Sequence, residues 1–414
     1  MNLTSKSILA IFAIVLIAAS VGFYFLGTMS ASQPEAGGFR LPAEIPIGAI
    51  HASDADLAIS QPGIDLGIED LNKYLNESGI PVKFTVTVQN AQESATKAVE
   101  ALQTLIAKGV KFVIGSQWSS QCKAMLTLAE ERDIVLFSPA SAAMNLAVAG
   151  DNLFRMSPTV AAQAAVYRRI FVNDGIKAVV VVHQDDDYTV SLWEAGKALF
   201  NESGIEIFGP LQVASGKTDY IVEFSDVNQK YLDALAKYQR SEVAVWLVST
   251  GYSDDVAMLH AVANYPELMK AVNRTYDVDH GLGAPIEQYA AETATELGFV
   301  AIGGAAINPN FNAWRPRYVA KTGFEPPKDA YMAYDIVWVG ALSILVSEEC
   351  SGTAIAEQIP TIAEKYYGVS GWTILNAAGD RDLKGTVMGV YKVINSKWEM
   401  VGYWDGMTDS ITWY

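Results

Sequence analysis

The chain has 414 residues, of which 50% are hydrophobic, and its formal net charge is −17 at pH 7. This length favours two domains, and the apolar content is sufficient for a sizeable core in each. The acidic balance argues against a nucleic-acid partner, because phosphate backbones are bound by clustered Lys and Arg side chains.

The first predicted element is an apolar stretch from Ile8 to Leu26, and only the charge of Lys6 precedes it. A helix of this length, at about 1.5 Å per residue, reaches roughly the thickness of the hydrocarbon core of a bilayer. We therefore expect a signal anchor over residues 1–27 and a polar tether over residues 28–45, with a cleaved signal peptide as the alternative. A signal anchor and a cleaved signal peptide both predict that the rest of the chain is exported.

Short apolar strands alternate with amphipathic helices over residues 46–141. The predicted strands are residues 47–50, 84–88, 112–114 and 134–137. Apolar residues recur with a period of about 3.6 over residues 95–108, which predicts a helix between the second and third strands. Alternation of this kind indicates a mostly parallel sheet covered by helices.

A second alternating series begins after Pro158. Its predicted strands are residues 178–182, 205–208, 243–248 and 298–302, with a short strand running to residues 277–279. Its predicted helices are residues 191–201, 231–239 and 254–263. Two such series predict an α/β protein with two Rossmann-like lobes across a cleft, each a mostly parallel sheet with helices on both faces. We expect lobe 1 to comprise residues 46–158 and 308–380, and lobe 2 to comprise residues 159–307 and 381–414.

The pattern changes towards the C-terminus. Residues 331–346 are apolar enough for a helix, and we expect a buried core helix because the stretch is short for a bilayer span. Residues 387–394 and 398–404 alternate in polarity around Asn395 and Ser396. That arrangement predicts a β-hairpin.

Small polar residues follow two of the predicted strands. Residues 116–120 come after one strand, and residues 138–141 come after the next. Ligands of parallel α/β sheets bind at the carboxyl ends of the strands. Because these residues are hydroxyls and amides rather than acid–base pairs, the sequence predicts a cradle for a small polar molecule.

The motifs of common enzyme classes are missing from the sequence. It contains no G-x-x-x-x-G-K-[ST], no G-x-S-x-G and no G-x-G-x-x-G after a strand. None of the histidines has the i, i+4 partner and the Glu of a helical zinc site; they are His51, His183, His260 and His280. We therefore expect a protein without catalytic activity, cofactor or metal, and keep an exported enzyme as a separate hypothesis.

Several landmarks occur together in a familiar order. They are residues 47–50, 107–116, 138–141, 154–158 and 183–188, followed by a turn at residues 378–381. The chain resembles the extracellular solute-binding proteins of branched-chain amino acid ABC transporters, which have the type I periplasmic-binding fold. The resemblance covers about residues 46–403 and implies two lobes joined by a multi-strand hinge. The first loop, residues 53–59, departs from the family pattern.

The resemblance also implies a site for a zwitterion. Ser119 would donate its hydroxyl to the α-carboxylate, and Ala140 and Ala142 would offer main-chain groups. Tyr188 and Tyr252 would close over the ligand from lobe 2, and Asp279 would bind the ammonium group.

Alternatives remain for this site. Ser119 and Ser120 are also suited to cap a helix, and Asp277 could replace Asp279. Trp118 faces either the ligand or the core. The family often has a hydroxyl at the position of Ala142, for which Ser141 would compensate only if the loop shifts.

The function implied by the resemblance is capture of a small amino acid by hinge closure and its delivery to an ABC permease. An amide or urea receptor and a ligand-sensing ectodomain are the alternative binding functions. The two cysteines, Cys122 and Cys350, either form one disulfide or stay free.

Overall fold

A computed structural model describes residues 41–249, 251–278, 282 and 284–414. The predicted signal anchor and most of the predicted tether lie outside these residues. The helices are α1 Asp54–Glu77, α2 Ala95–Ala107, α3 Ser119–Glu131, α4 Val160–Asn173, α5 Asp187–Glu202, α6 Ile221–Leu235, α7 Tyr252–Ala263, α8 Ala284–Tyr289, α9 Ala291–Leu297, α10 Pro309–Thr322, α11 Lys328–Ser347 and α12 Gly352–Lys365. The strands are β1 Glu44–His51, β2 Lys83–Asn90, β3 Phe112–Gly115, β4 Val135–Ser138, β5 Leu153–Arg155, β6 Ala178–Gln184, β7 Glu206–Val213, β8 Val243–Val248, β9 Thr275–Tyr276, β10 Val300–Gly304, β11 Tyr367–Gly368, β12 Gly371–Trp372, β13 Val387–Ile394, β14 Lys397–Asp405 and β15 Ser410–Trp413.

The first sheet is entirely parallel, with strand order β2-β1-β3-β4-β5. Its central strands β3 and β4 are fully buried, which explains why they read as continuous apolar runs rather than alternating ones. Side chains of α2 and α3 pack on one face, and those of α1, α11 and α12 pack on the other. The predicted parallel sheet with helices on both faces is confirmed here.

The second sheet is mixed, with strand order β15-β14-β13-β10-β9-β8-β6-β7. Strands β7, β6, β8, β9 and β10 are parallel neighbours, whereas β13, β14 and β15 are added antiparallel. The predicted hairpin is confirmed: β13 and β14 join at Asn395 and Ser396, whose φ angles are +49° and +65°. Two successive residues in the left-handed region match the twist of a tight hairpin. The last strand, β15, was not predicted.

The chain passes between the two sheets three times. It leaves the first sheet after β5, returns after β10 to form α10, α11 and α12, and crosses again between β12 and β13. The last crossing is joined to the first, since Arg155 and Asp380 form a parallel β-bridge.

Helix α11 lies in the core of the first sheet. It is long and apolar enough to span a membrane by length and composition, and 72% of its most apolar window is buried inside the protein. Its buried side chains join the cluster formed by α1, β1 and β3. The structure therefore places here the core helix that the sequence predicts.

Two helices differ from the sequence-based expectation. The first loop, residues 53–59, is instead the start of α1, where the side chain of Ser53 accepts a hydrogen bond from the backbone N–H of Asp56. Helix α6 begins at Ile221, ten residues before the predicted start at Tyr231. Both thiols are free: Cys122 is buried and Cys350 is half-buried.

Candidate functional site

Two loops meet at the carboxyl edge of the first sheet because β3 and β4 are neighbours. The hydroxyl of Ser138 donates to the carbonyl of Ser116 at 2.5 Å and so joins the two loops. Oγ of Ser138 also accepts a hydrogen bond from the N–H of Ser141 at 2.9 Å. The predicted cradle is therefore one connected surface, fixed by buried hydrogen bonds.

Ser119 lies at the centre of this surface, as the first residue of α3. Its Oγ accepts hydrogen bonds from the N–H groups of Ala142 and Ala143, each at 3.3 Å. The hydroxyl proton can then be donated to a further acceptor. Among the described residues, no side chain caps α3 at Trp118, so the capping role considered for Ser119 is not observed. The first-turn N–H groups of α3 and its dipole favour an anion at this point.

The other residues predicted for this site on lobe 1 differ in their exposure to solvent. Trp118 is 39% exposed, so it is not a core residue. Ala140 is half-buried, and Ala142 is 4% exposed, with its carbonyl accepting from Val160 N at 3.1 Å. Ser141 is 2% exposed and faces the thiol of Cys122. Its hydroxyl is thus buried beneath the loop, and it does not replace a hydroxyl at position 142.

Burial is the main influence on Cys122. It raises the pKa of this thiol, while the nearby groups of Ser141, Ser138 and Ser116 act in the opposite direction. The thiol donates to the carbonyl of Ser116 at 3.2 Å. A protonated, buried thiol of this kind packs beneath the site and is not a nucleophile.

Tyr188 approaches the same surface from the second sheet. It is the second residue of α5, whose N-cap Asp186 accepts from the N–H of Tyr188 at 2.9 Å. The Tyr188 hydroxyl donates to Oε1 of Gln163 on α4 at 2.8 Å. Its ring packs against the apolar cluster to which Ala142 belongs. The structure therefore brings Tyr188 and the Ser119 loop into one region.

Helices α3 and α5 also touch each other directly. Nζ of Lys123 lies 3.5 Å from Oδ2 of Asp187, and Nδ2 of Asn145 lies 3.4 Å from the same oxygen. Both hydrogen-bonding pairs of this contact are exposed to solvent. In this structure the two sides of the predicted cleft are closed against each other at this edge.

Two predicted residues cannot be placed. Asp279 and the side chain of Tyr252 lie outside the described residues, although Tyr252 is the first residue of α7. Asp277, the alternative to Asp279, is buried just after β9, and its Oδ1 accepts from Val278 N at 2.8 Å. The ammonium site therefore stays a prediction from the sequence.

Sequence reasoning missed the residues that support the loop. Arg155 donates from Nη1 to the carbonyl of Ala143 at 2.7 Å and from Nε to Oδ1 of Asp380 at 2.5 Å. Both side chains of this ion pair are 0% exposed. Residues 154–158 were recognised as a landmark, but nothing near them indicated a carboxylate partner 225 positions away. No feature of the sequence indicated a role for Gln163, the hydrogen-bond partner of Tyr188.

A second buried network of hydrogen bonds is formed around Gln117. Gln117 accepts from Ala52 N at 2.9 Å and donates to Ser60 Oγ at 3.1 Å, and its amide lies 3.3 Å from Nδ1 of His51. Burial lowers the pKa of His51, whose other ring nitrogen is 2.8 Å from Oε1 of Gln61. Within the described part of the chain, no group of three or more His, Cys, Asp or Glu side chains is placed to hold a metal.

A family model described as periplasmic binding protein matches residues 44–334, more than half of the chain. The chain belongs to this family. Membership confirms the recognition made from the sequence and implies an extracytoplasmic location.

Similar proteins support this assignment. An uncharacterized protein of Methanocaldococcus jannaschii is 23% identical over 367 residues, covering 84% of this chain and 86% of its own length. The leucine-binding protein LivK of Thermotoga maritima aligns with a TM-score of 0.73 at 19% identity, covering 87% of this chain and 99% of that one. The branched-chain amino acid transporter substrate-binding protein LivJ of Streptococcus pneumoniae, solved with isoleucine, aligns with a TM-score of 0.69 at 20% identity, over 86% of this chain and 98% of that one. These solved structures show that the protein has the type I periplasmic-binding fold.

Proposed function

We propose that this periplasmic binding protein captures a small amino acid in the cleft between lobes 1 and 2 and delivers it to the permease of an ABC importer. The observation that carries the proposal is the arrangement at the start of α3. Ser119 projects a hydroxyl there beside an N-terminus that no described side chain caps. Such a group of donors suits an α-carboxylate.

The opposite side of the cleft carries acidic residues near this point. The start of α5 is acidic, with Asp186 as its N-cap and Asp187 in its first turn. Family resemblance assigns the ammonium group to Asp279, with Tyr188 and Tyr252 closing over the ligand. A zwitterion bridging the two sides would favour the closed arrangement, since it binds that arrangement better than the open one.

The proposed cellular setting follows from the sequence and the family. The apolar stretch from Ile8 to Leu26 would tether the protein to the outer face of the cell membrane, or would be removed on export. The permease and its ATPase subunits would supply the energy for transport. The binding protein itself then needs no catalytic group, in keeping with the solute-binding function of its relatives.

A thermal-shift screen against amino acids, simple amides and urea tests the proposal. An amino acid that binds the folded state should raise the Tm by mass action. Ser119→Ala should reduce that shift strongly, because it removes the donor to the carboxylate and the acceptor of two loop N–H groups. The matched control is Ser120→Ala, which changes the neighbouring exposed hydroxyl.

The results separate the candidate ligands. A shift with amino acids that is lost in Ser119→Ala and in Asp279→Ala supports the amino-acid receptor. A shift with amides or urea that survives Asp279→Ala identifies the neutral-ligand receptor instead. Conversion of any of these compounds into a product would contradict a purely binding role.

A further inference from the structure

A small cavity lies where the chain crosses between the two sheets. Its walls include Arg381 and Ser370 from the last crossing and Lys328 and Met332 from α11. Gln163, the partner of Tyr188, lines it as well. The cavity therefore adjoins the candidate ligand site without being part of the surface around Ser119.

Arg381 is the most unusual residue of this cavity, because it is a guanidinium only 3% exposed. Nη1 donates to Ser370 Oγ at 2.8 Å, and Nη2 donates to the carbonyls of Ser370 and Trp372, each at 2.7 Å. In the part of the chain that the structure describes, Nε has no hydrogen-bond partner. No carboxylate of the described residues forms an ion pair with this guanidinium. All the hydrogen bonds of the guanidinium go to neutral oxygens, and Asp335 acts on its charge without a direct contact.

The acidic group that acts most strongly on this guanidinium, Asp335, is directed elsewhere. Asp335 accepts at Oδ2 from Ser370 N at 2.7 Å and at Oδ1 from Val369 N at 2.8 Å. Its two oxygens are therefore used by backbone N–H groups, and Ser370 separates them from Arg381. A buried charge without a direct counter-ion is costly, so an anion beside Arg381 would be stabilised.

A second donor without a partner lies nearby. The hydroxyl of Tyr331 is buried and has no hydrogen-bond partner among the described residues. It lies 3.2 Å from the point where a Cβ on Gly304 would sit, and Gly304 lines the cavity. The absence of a side chain at position 304 thus keeps this hydroxyl open towards the cavity.

We propose that this cavity is an anion subsite, in which Arg381 and the Tyr331 hydroxyl bind a carboxylate or a small inorganic anion. One source of the anion is the side-chain carboxylate of an acidic amino acid held at Ser119, and this source rests on the proposed function. The other source is a free anion that binds independently of any amino acid. In both cases the anion links the crossing segments and favours the closed arrangement.

Met332 allows a test that needs no ligand. It lines the cavity and is 5% exposed, and Glu and Gln are close to it in length. In Met332→Glu, a carboxylate of the chain itself would occupy the place of the anion. We expect its Tm at pH 7 to exceed that of Met332→Gln. Pairing with Arg381 would lower the pKa of the introduced carboxyl, so the difference should shrink only as the pH falls below about 4, the ordinary pKa of a glutamate. A Met332→Glu protein less stable than Met332→Gln at pH 7 would overturn the proposal.

Added anions identify the source. L-glutamate or L-aspartate should raise the Tm of the wild type and of Met332→Gln by about 2–4 °C, but not that of Met332→Glu, if the anion is the side-chain carboxylate of the ligand. If a free anion binds instead, replacing gluconate by formate or chloride at constant ionic strength should raise the Tm of the wild type and of Met332→Gln, but not that of Met332→Glu. No effect of any of these anions on wild type or Met332→Gln would overturn the proposal. Binding of leucine that depends on Ser119 would still support the proposed function.

Discussion

The ion pair of Arg155 and Asp380 connects the first and last crossings, and water does not reach it: both side chains are 0% exposed. Removing one partner would leave the other charge buried without a counter-ion. We expect Asp380→Asn to lower the free energy of unfolding by about 3–5 kcal/mol, measured by urea denaturation. Arg315→Ala breaks an exposed pair with Glu325 and is the control, with an expected loss of about 0–1 kcal/mol. Equal losses in the two variants would contradict this account.

Asp335 should make stability depend on pH. Burial raises its pKa from 3.8 to about 6, despite the hydrogen bonds from Ser370 and Val369 that act in the other direction. The folded state then binds a proton more tightly than the unfolded state does. The stabilisation is complete below pH 3.8 and is lost as the pH rises through 6.

Asp335→Asn should therefore remove the loss of stability that accompanies ionisation of this carboxyl. We expect the Tm of the variant, relative to that of the wild type, to increase between pH 4 and pH 7 as the wild-type carboxyl ionises. Differential scanning calorimetry across that range measures it. The exposed control, Glu349→Gln, should keep the wild-type dependence. A Tm difference that does not change with pH would show that Asp335 has an ordinary pKa.

At the residue scale, the sequence predicted some site residues and not others for a physical reason. Ser119 and Ala142 follow neighbouring strands, so their proximity is a consequence of sheet topology. Arg381 and Gln163 line one cavity because of how distant segments pack, and no local pattern encodes that. Pairs with a large sequence separation are visible only in the folded chain.

At the element scale, strands were predicted better than one long helix. The strands of both sheets are short apolar runs, and the predicted β8 matches the observed one at both ends. Helix α1 was missed because Pro62, Gly63 and Gly67 interrupt its helical pattern. The structure gives the reason for Gly63: a Cβ there would lie 2.1 Å from the carbonyl oxygen of Ala330 on α11. The glycine permits close packing of two helices, and a contact of that kind cannot be read from one of them.

Gly63→Ala tests this contact. Alanine favours helices over glycine by about 1 kcal/mol, so a gain in stability is expected if the contact has room to relax. We expect instead a net loss of about 1–3 kcal/mol, because the neighbouring atom belongs to the backbone of α11. Ala58→Ser, on the exposed face of the same helix, should change the free energy of unfolding by less than about 0.5 kcal/mol. A more stable Gly63→Ala protein would contradict the close packing.

At the scale of the whole molecule, closure is expected to involve the contact between α3 and α5. Lys123 and Asp187 are 58% and 54% exposed, so their attraction is weak. Asp187→Lys would place two positive charges together only when the lobes are closed. We expect it to weaken ligand binding by about two- to five-fold, measured by calorimetry, without contact with the ligand.

The charge-reversed double variant provides the control. Asp187→Lys combined with Lys123→Asp restores the opposite charges and should restore the affinity. Small-angle scattering should show a smaller radius of gyration with ligand in the wild type. Failure of the double variant to recover would mean that Asp187 acts through something other than this contact.

The return of the chain to the first sheet has a consequence for biosynthesis. Strands β1 to β5 end at Arg155, whereas α11, which covers one face of their sheet, begins only at Lys328. A polypeptide that emerges from a ribosome or a translocation pore amino end first therefore displays an apolar sheet face until strands β6 to β10 of the second sheet have been synthesised. During that interval the nascent chain is prone to aggregate and is a natural client for a holding chaperone.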